Sequence, residues 1–183
     1  LMQRAVSKFV PADDLVVPYT ATSLDDCESV IHMVRMTENE LRKQQVGGFY
    51  KDIEVNPSYL NETEAEKKER SLEGVSKGRD DRMFTILECH VDIDLEGFED
   101  VGQEGEPTGI KLPYVVTLEE GTRKVLSIRR NYEVGDPMKK KINYFVHFKF
   151  LPGLGFYGFG LLHMIGGLSR TATAALRQLL DAG

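Results

Sequence analysis

The stretch TILECHVDIDL, residues 85–95, restricts the fold more than any other part of this chain. Side chains along a β-strand alternate between its faces. Thr85, Leu87, Cys89, Val91, Ile93 and Leu95 therefore share one face, and Glu88, His90, Asp92 and Asp94 share the other. The spacing predicts a long amphipathic strand with its apolar side in a core and its polar side toward solvent or a neighbouring subunit. Downstream, LPYVVTL and KVLSIRRNY flank Glu119-Glu120-Gly121-Thr122, a short glycine-containing loop that signals a hairpin. Asp136-Pro137 marks a further turn. INYFVHFKF, residues 142–150, reads as another strand with Tyr144, Val146, Phe148 and Phe150 on its apolar side.

Upstream, VIHMVRM at residues 30–36 is a strand candidate rich in β-branched residues. Thr37 stands three residues before Glu40, a capping-box spacing that starts a helix through ENELRKQQV, and Gly47-Gly48 ends it. Before these, FVPADDLVVPYTATSLDD has Pro11 and Pro18 bracketing a short apolar run, as an extended edge segment entering a turn does. Residues 51–82 are polar and charge-dense, with no apolar stripe wide enough to anchor a helix, and read as an exposed, mobile insertion. From residue 161 to 180 the period becomes helical, with Leu161, Leu168, Ala172, Ala175, Leu176 and Leu179 near one face. Leu162, Met164, Ile165 and Leu180 lie off that face, so the apolar surface wraps wider than one sheet contact needs. The fold class is α+β, a mostly antiparallel meander with flanking helices. It divides into an extended segment, strand and capped helix (1–50), the insertion (51–82), the meander (83–150) and a glycine-rich joint with its helix (151–183).

A chain of 183 residues with 41% hydrophobic and 28% charged residues falls in the globular range. Its net charge of -6 argues against a generic nucleic-acid or membrane-surface binder, whose affinity rests on clustered Lys and Arg. Cys27 and Cys89 are too few for a disulfide framework. The start at Leu1 and the end straight out of a helical pattern give the expectation of an internal piece of a longer polypeptide.

Gly153-Leu154-Gly155-Phe156-Tyr157-Gly158 matches G-x-G-x-x-G between a strand and a helix. A dinucleotide site also needs an acidic residue closing a second strand about 20 residues on, and Asp181 closes a helical pattern instead. Residues 154–168 are apolar but too short for a membrane span of about 20 residues, and His163 and five glycines interrupt them. DIDLEGFEDVGQ places Asp92, Asp94, Glu96 and Gly97 at calcium-loop offsets, but Gln103 stands where a bidentate Glu is required. His32, His90, His147 and His163 are scattered without zinc spacing. No cofactor or metal is expected. Lys139, Lys140 and Lys141, with Arg129 and Arg130, are candidates for a DNA or partner contact, a solvated loop being the alternative reading of the lysines. No nucleophilic triad or paired-carboxylate arrangement stands out. The residues by themselves reach an α+β interaction module.

Read in order, three stretches resemble the portal proteins (head-to-tail connectors) of short-tailed bacteriophages. They are DLVVPYTATSLDDCESVIHMVRMTENELRK, then FTILECHVDIDLEGFEDVGQEGEPTGIKLPYVVTLEEGTRKVLSIRRNYEVGDP, then FVHFKFLPGLGFYGFGLLHMIGGLSRTATAALRQLLDAG. The resemblance implies a portal-like body and the start of a channel-directed helix. It also implies a structural protein of the virion without enzymatic activity. Such a protein forms a homo-oligomeric ring, a dodecamer, at one capsid vertex, and is assembled in the host cytoplasm. Double-stranded DNA passes through its channel in packaging and ejection, and the terminase, the capsid protein and tail or adaptor proteins attach to it; no membrane is involved. On this reading Pro152, Gly153, Gly155, Tyr157, Gly158 and Gly160 form a structural joint between sheet and helix. A phage tail or adaptor protein is the nearest alternative, and a nucleotide-binding enzyme domain using the glycine-rich turn the more distant one.

Overall fold

The computed structural model describes residues 6–25, 27–56, 68, 71–72, 83–102, 105–153 and 155–182. Its elements are a 3-10 turn (Ala12–Asp14), β1 (Leu15–Val16), β2 (Ser29–Thr37), α1 (Glu38–Val46), β3 (Met83–Ile93), β4 (Leu112–Glu119), β5 (Val125–Arg130) and α2 (Leu161–Ala182). Each strand pairs antiparallel with the next, in the order β1-β2-β3-β4-β5. The α+β meander predicted from the sequence is thus present in its first five strands.

Local chemistry sets the element ends. Thr37 Oγ1 accepts from the Glu40 N–H at 3.3 Å, and Glu40 Oε2 accepts from the Thr37 N–H at 2.9 Å, so the capping box opens α1. Gly48 at φ 73° lies beyond its end, where Phe49 and Tyr50 N–H groups both donate to the Gln44 carbonyl. The β4–β5 turn is held by Glu119, whose side chain is fully buried. Its carboxylate accepts from the N–H groups of Gly121 at 2.7 Å and Thr122 at 2.5 Å, and from Thr122 Oγ1 at 2.5 Å. Hydrogen bonds to a charged group contribute about 1.5–3 kcal/mol each before coupling. Glu119→Ala strands the N–H donors of a tight turn and is expected to cost roughly 3 kcal/mol in urea denaturation, with Glu119→Gln recovering part of it. A loss under 0.5 kcal/mol, the range of an ordinary surface change, would mean the turn holds without the carboxylate.

The core lies on the face of β3 opposite to the predicted one. Leu41, Tyr50, Phe84, Ile86 and Leu126 form the buried cluster, with Val34, Met36, Ile53 and Val55 packed against it. Phe84 and Ile86 belong to the face that also carries Glu88 and His90. Helix α1, which follows β2 directly, settles on that face and supplies Leu41. Leu126 joins the cluster through an irregularity: Thr117 faces Ser127 while Leu118 faces Val125, and the intervening Leu126 turns inward. On the other face Cys89 is buried, but Leu87, Val91 and Ile93 are only half-buried. His90 is 6% exposed rather than solvent-facing, because β3 is a central strand covered on both sides. Asp94 alone of the four polar residues is exposed as expected.

Two boundaries also move. The insertion does not begin at residue 51: the Lys51 N–H donates to the Leu126 carbonyl at 2.8 Å, and the Gln45 side chain donates to the Ile53 carbonyl at 2.9 Å. Ile53 and Val55 alternate like a strand and pack on the core, so residues 51–55 belong to the body. The mobile stretch expected beyond them lies outside the described residues except for residues 56, 68 and 71–72. The chain also divides differently from its sequence order. One compact unit runs to Val17 and from Glu28 to Ile142; the other joins Pro18–Cys27 to Asn143–Gly183. Within the second unit, Asn143 Nδ2 donates to Asp25 Oδ1 at 3.1 Å, and Lys149 Nζ to the Thr22 carbonyl at 2.8 Å. Residues 142–150 lie outside the five-stranded sheet, entered from the Ile142 N–H, which donates to the Asn131 carbonyl at 2.9 Å, and ending in a bend at Phe150. The alternation read there is correct, yet its apolar side is exposed rather than buried.

Candidate functional site: the glycine joint and its helix

The segment between residues 150 and 161 is a closed loop. Leu151 and Phe159 exchange N–H···O=C bonds of 3.3 and 2.9 Å across its neck. Three glycines inside it adopt left-handed backbone: Gly153 at φ 137°, Gly155 at 69° and Gly158 at 65°. Gly158 has a second constraint, since a Cβ there would lie 2.7 Å from the Leu151 carbonyl oxygen. A Cβ on Gly153 would meet the Phe159 ring at 3.0 Å. Phe156 is buried and stacks on His147 with centroids 4.1 Å apart; Tyr157 stands edge-on to Phe156 and is exposed. Pro152 is exposed at the entry to the loop. At its exit the Gly160 N–H donates to His163 Nδ1 at 3.2 Å, so a histidine in the first turn of α2 satisfies the amide just before it. The loop carries the rings of Phe156, Tyr157 and Phe159 where a pyrophosphate-binding turn needs open backbone.

Helix α2 has 22 residues, about 33 Å of rise. It buries none of them: Leu161, Leu162, Met164, Ile165, Leu168, Leu176, Leu179 and Leu180 are all exposed. Its only Lys, Arg, Asp or Glu residues are Arg170, Arg177 and Asp181. An open depression beside it is lined by residues of α2 alone, from Leu162 to Gln178, and no second element closes it. Burying an exposed leucine is worth about 1.5–3 kcal/mol, so a helix this apolar calls for a cover. No helix among the described residues is long and apolar enough to cross a membrane.

A family model for the phage SU10 portal protein matches residues 2–182. The chain belongs to this portal protein family. No curated protein matches it. The portal family's match takes in the sheet, the joint and α2 together, so the resemblance read from the three sequence stretches extends over nearly the whole chain.

The basic candidates of this portal-family chain do not form one patch. Arg129 and Arg130 are consecutive in β5 and point to opposite faces. The Arg129 guanidinium lies 4.3 Å over the Phe49 ring, whereas Arg130 sits opposite Tyr114. Lys139, at φ 46°, is ion-paired with Asp100, which also accepts from Thr108 Oγ1 at 2.7 Å. Asp136 Oδ2 accepts the Lys140 N–H at 3.0 Å, fixing the backbone of the triplet. Lys141 and Arg129 both lie near enough to His90 to disfavour its protonation. Among the described residues no group of three His, Cys, Asp or Glu side chains has metal-binding geometry.

Sequence reasoning missed a polar row across the sheet. His32, Glu88, Thr117 and Ser127 stand side by side across β2, β3, β4 and β5. His32 Nδ1 is 3.0 Å from Glu88 Oε2. That bond holds the Glu88 carboxyl below its ordinary value despite burial, and burial lowers the His90 imidazole. Tyr50 is pushed up by burial and then by the Glu88 charge. The hydroxyls of Thr117 and Ser127 are buried without a hydrogen-bond partner among the described residues. Period-2 alternation did place Glu88 and His90 on one face; that the face is an interior one shows only in the structure, where Tyr50 lies near Glu88, and Lys141 and Arg129 near His90.

Both shifts make the sheet acid-labile. A lowered pKa in the folded state means that the unfolded chain binds more protons, so stability rises with pH. The His90 contribution is complete above its ordinary value of 6.5 and is lost as pH falls below it; that of Glu88 is lost below 4.5. Urea denaturation midpoints are expected to fall in two stages between pH 7 and pH 3. His90→Gln should remove the upper stage only, and an unchanged upper stage in that variant would rule His90 out as its source.

Proposed function

We propose that this chain is the body of a phage portal subunit that assembles into a homo-oligomeric ring, a dodecamer, at one capsid vertex. Through the ring's channel double-stranded DNA enters the capsid in packaging and leaves in ejection. The terminase docks on it and carries the ATP hydrolysis, while capsid protein and tail or adaptor proteins attach around it. The subunit itself has no catalytic activity. It is assembled in the host cytoplasm and ends in the virion.

One observation carries the reading beyond family membership: a 22-residue helix with every large apolar side chain exposed. Neighbouring subunits of a ring provide the cover that such a helix lacks in one copy. Pro152, Gly153, Gly155, Tyr157, Gly158 and Gly160 serve as the joint that launches α2 from the segment before it. The net charge of -6 suits a channel in which DNA slides, because a basic wall would gain affinity through counterion release and hold the duplex. Lys140 is the exposed member of the basic triplet and the one best disposed to reach a partner.

Negative-stain imaging of the full-length protein tests this directly. Rings with a central hole, and a mass of twelve subunits, are expected. A protein that stays monomeric at micromolar concentration sinks the reading, and rings of another subunit number favour the tail or adaptor alternative.

A further inference from the structure

We infer that residues 146–150 act as a donated strand, adding to an open strand edge in the sheet of a second copy of this chain. The inference rests on the ring reading above and names the contact that closes it.

The segment has the composition of a sheet strand but lies outside the five-stranded sheet. INYFVHFKF is rich in aromatic and β-branched residues, the types that favour strands. Residues 146–149 are in no helix, strand or turn and the chain bends at Phe150, and residues 146–150 make no backbone hydrogen bond to any strand among the described residues. Its two sides differ sharply. His147 stacks on Phe156, and Lys149 Nζ donates to the carbonyls of Thr22 and Gly155 at 2.8 and 3.3 Å, so one side is anchored within its own unit. The other side presents Tyr144, Val146, Phe148 and Phe150 at 63%, 80%, 90% and 67% exposure. A strand held by one edge of side chains, with its backbone and apolar side offered outward, is arranged for β-augmentation.

The area fits a second copy rather than an incidental contact. An aromatic side chain covers about 150–250 Å², so Tyr144, Phe148 and Phe150 together offer roughly 330–550 Å². A standard interface takes about 800 Å² from each partner, and the exposed leucines of α2 supply the remainder in the same unit. The chain also carries an acceptor edge. β5 pairs with β4 on one side, and beyond the Lys51–Leu126 bond its other side at residues 127–130 takes no backbone hydrogen bond among the described residues. A donor in one place and an acceptor in another give a head-to-tail contact, the kind that closes rings.

The test uses the full-length protein, with Val146→Pro, His147→Pro and Phe148→Asp. Successive residues of a strand send their N–H groups to opposite edges, so one of the two prolines must remove a ladder bond. Ring yield, read by imaging and light scattering, is expected to drop about tenfold or more in that proline variant and in Phe148→Asp. Far-UV circular dichroism and thermal unfolding report whether the sheet, which the segment does not enter, is intact. In wild-type rings the amides of residues 146–150 are expected to exchange about tenfold or more slowly than in dissociated subunits. Normal rings in all three variants, or equal exchange in ring and subunit, overturn the donated strand and leave the portal reading standing. Protection that appears only on adding a capsid or tail protein overturns the choice of a second copy. Wild-type protein that forms no ring overturns both.

Discussion

Replacing Gly166 and Gly167 together by leucine is expected to abolish ring assembly while leaving the subunit more stable, not less. Glycine inside a helix costs about 0.8–1 kcal/mol relative to alanine, and leucine is nearly as good a helix former, so the change favours α2 by roughly 1.5 kcal/mol. Nothing among the described residues resists it. A Cβ on Gly166 would meet only Leu162 Cδ1 at 3.7 Å, and one on Gly167 would meet nothing within 4 Å. A pair of glycines that the subunit does not itself require is explained by close backbone approach from outside it. Thermal unfolding of the double variant should therefore match or exceed wild type, while imaging shows single subunits. Rings of normal yield from the glycine double variant would make α2 the floor of a self-contained domain, and the portal reading would lose its main physical support.

How far the sequence shows this structure depends on what kind of signal each part carries. Thr37 with Glu40, and the loop from Glu119 to Thr122, act over three or four residues, and the structure forms the cap and the hairpin where the spacing puts them. Alternation in residues 85–95 and 142–150 tells which side chains share a face, and both sets do share one. It does not tell which face receives a helix. In β3 that decision falls to α1, which brings Leu41 onto Phe84 and Ile86. Long-range choices are less legible still. The attachment of residues 51–55 to the core shows only as the alternation of Ile53 and Val55, and the grouping of Pro18–Cys27 with the C-terminal unit has no sequence signal of its own. Among the residues singled out from the sequence, Gly153, Gly155 and Gly158 take the positive φ that favours glycine, and Gly160 does not. What the basic residues touch was not legible, because Arg129 and Arg130 alternate across β5 and Lys139 turns to Asp100.

Gly158 is the residue of the joint whose substitution is expected to matter most. Its φ of 65° already penalises any L side chain by about 1–2 kcal/mol. A methyl group there would also sit 2.7 Å from the Leu151 carbonyl oxygen, closer than real Cβ contacts come. That oxygen cannot retreat freely, because it accepts the Phe159 N–H at 2.9 Å and so closes the neck of the loop. Gly158→Ala must either open the neck or twist the peptide that bears it, at a combined cost of roughly 3 kcal/mol. Gly155 provides the comparison: its φ of 69° is similar, but a Cβ there meets nothing within 4 Å, so Gly155→Ala is expected to cost only about 1 kcal/mol. Asparagine, which tolerates the left-handed region, should restore position 155 and fail at position 158. Amide exchange at Phe159 reads the neck directly, and is expected to accelerate about a hundredfold in Gly158→Ala and less than about tenfold in Gly155→Ala. The five-stranded sheet lies in the other compact unit, so its own exchange should not change. Equal effects at the two glycines would show that backbone angle alone matters and that the close approach to Leu151 is not a constraint.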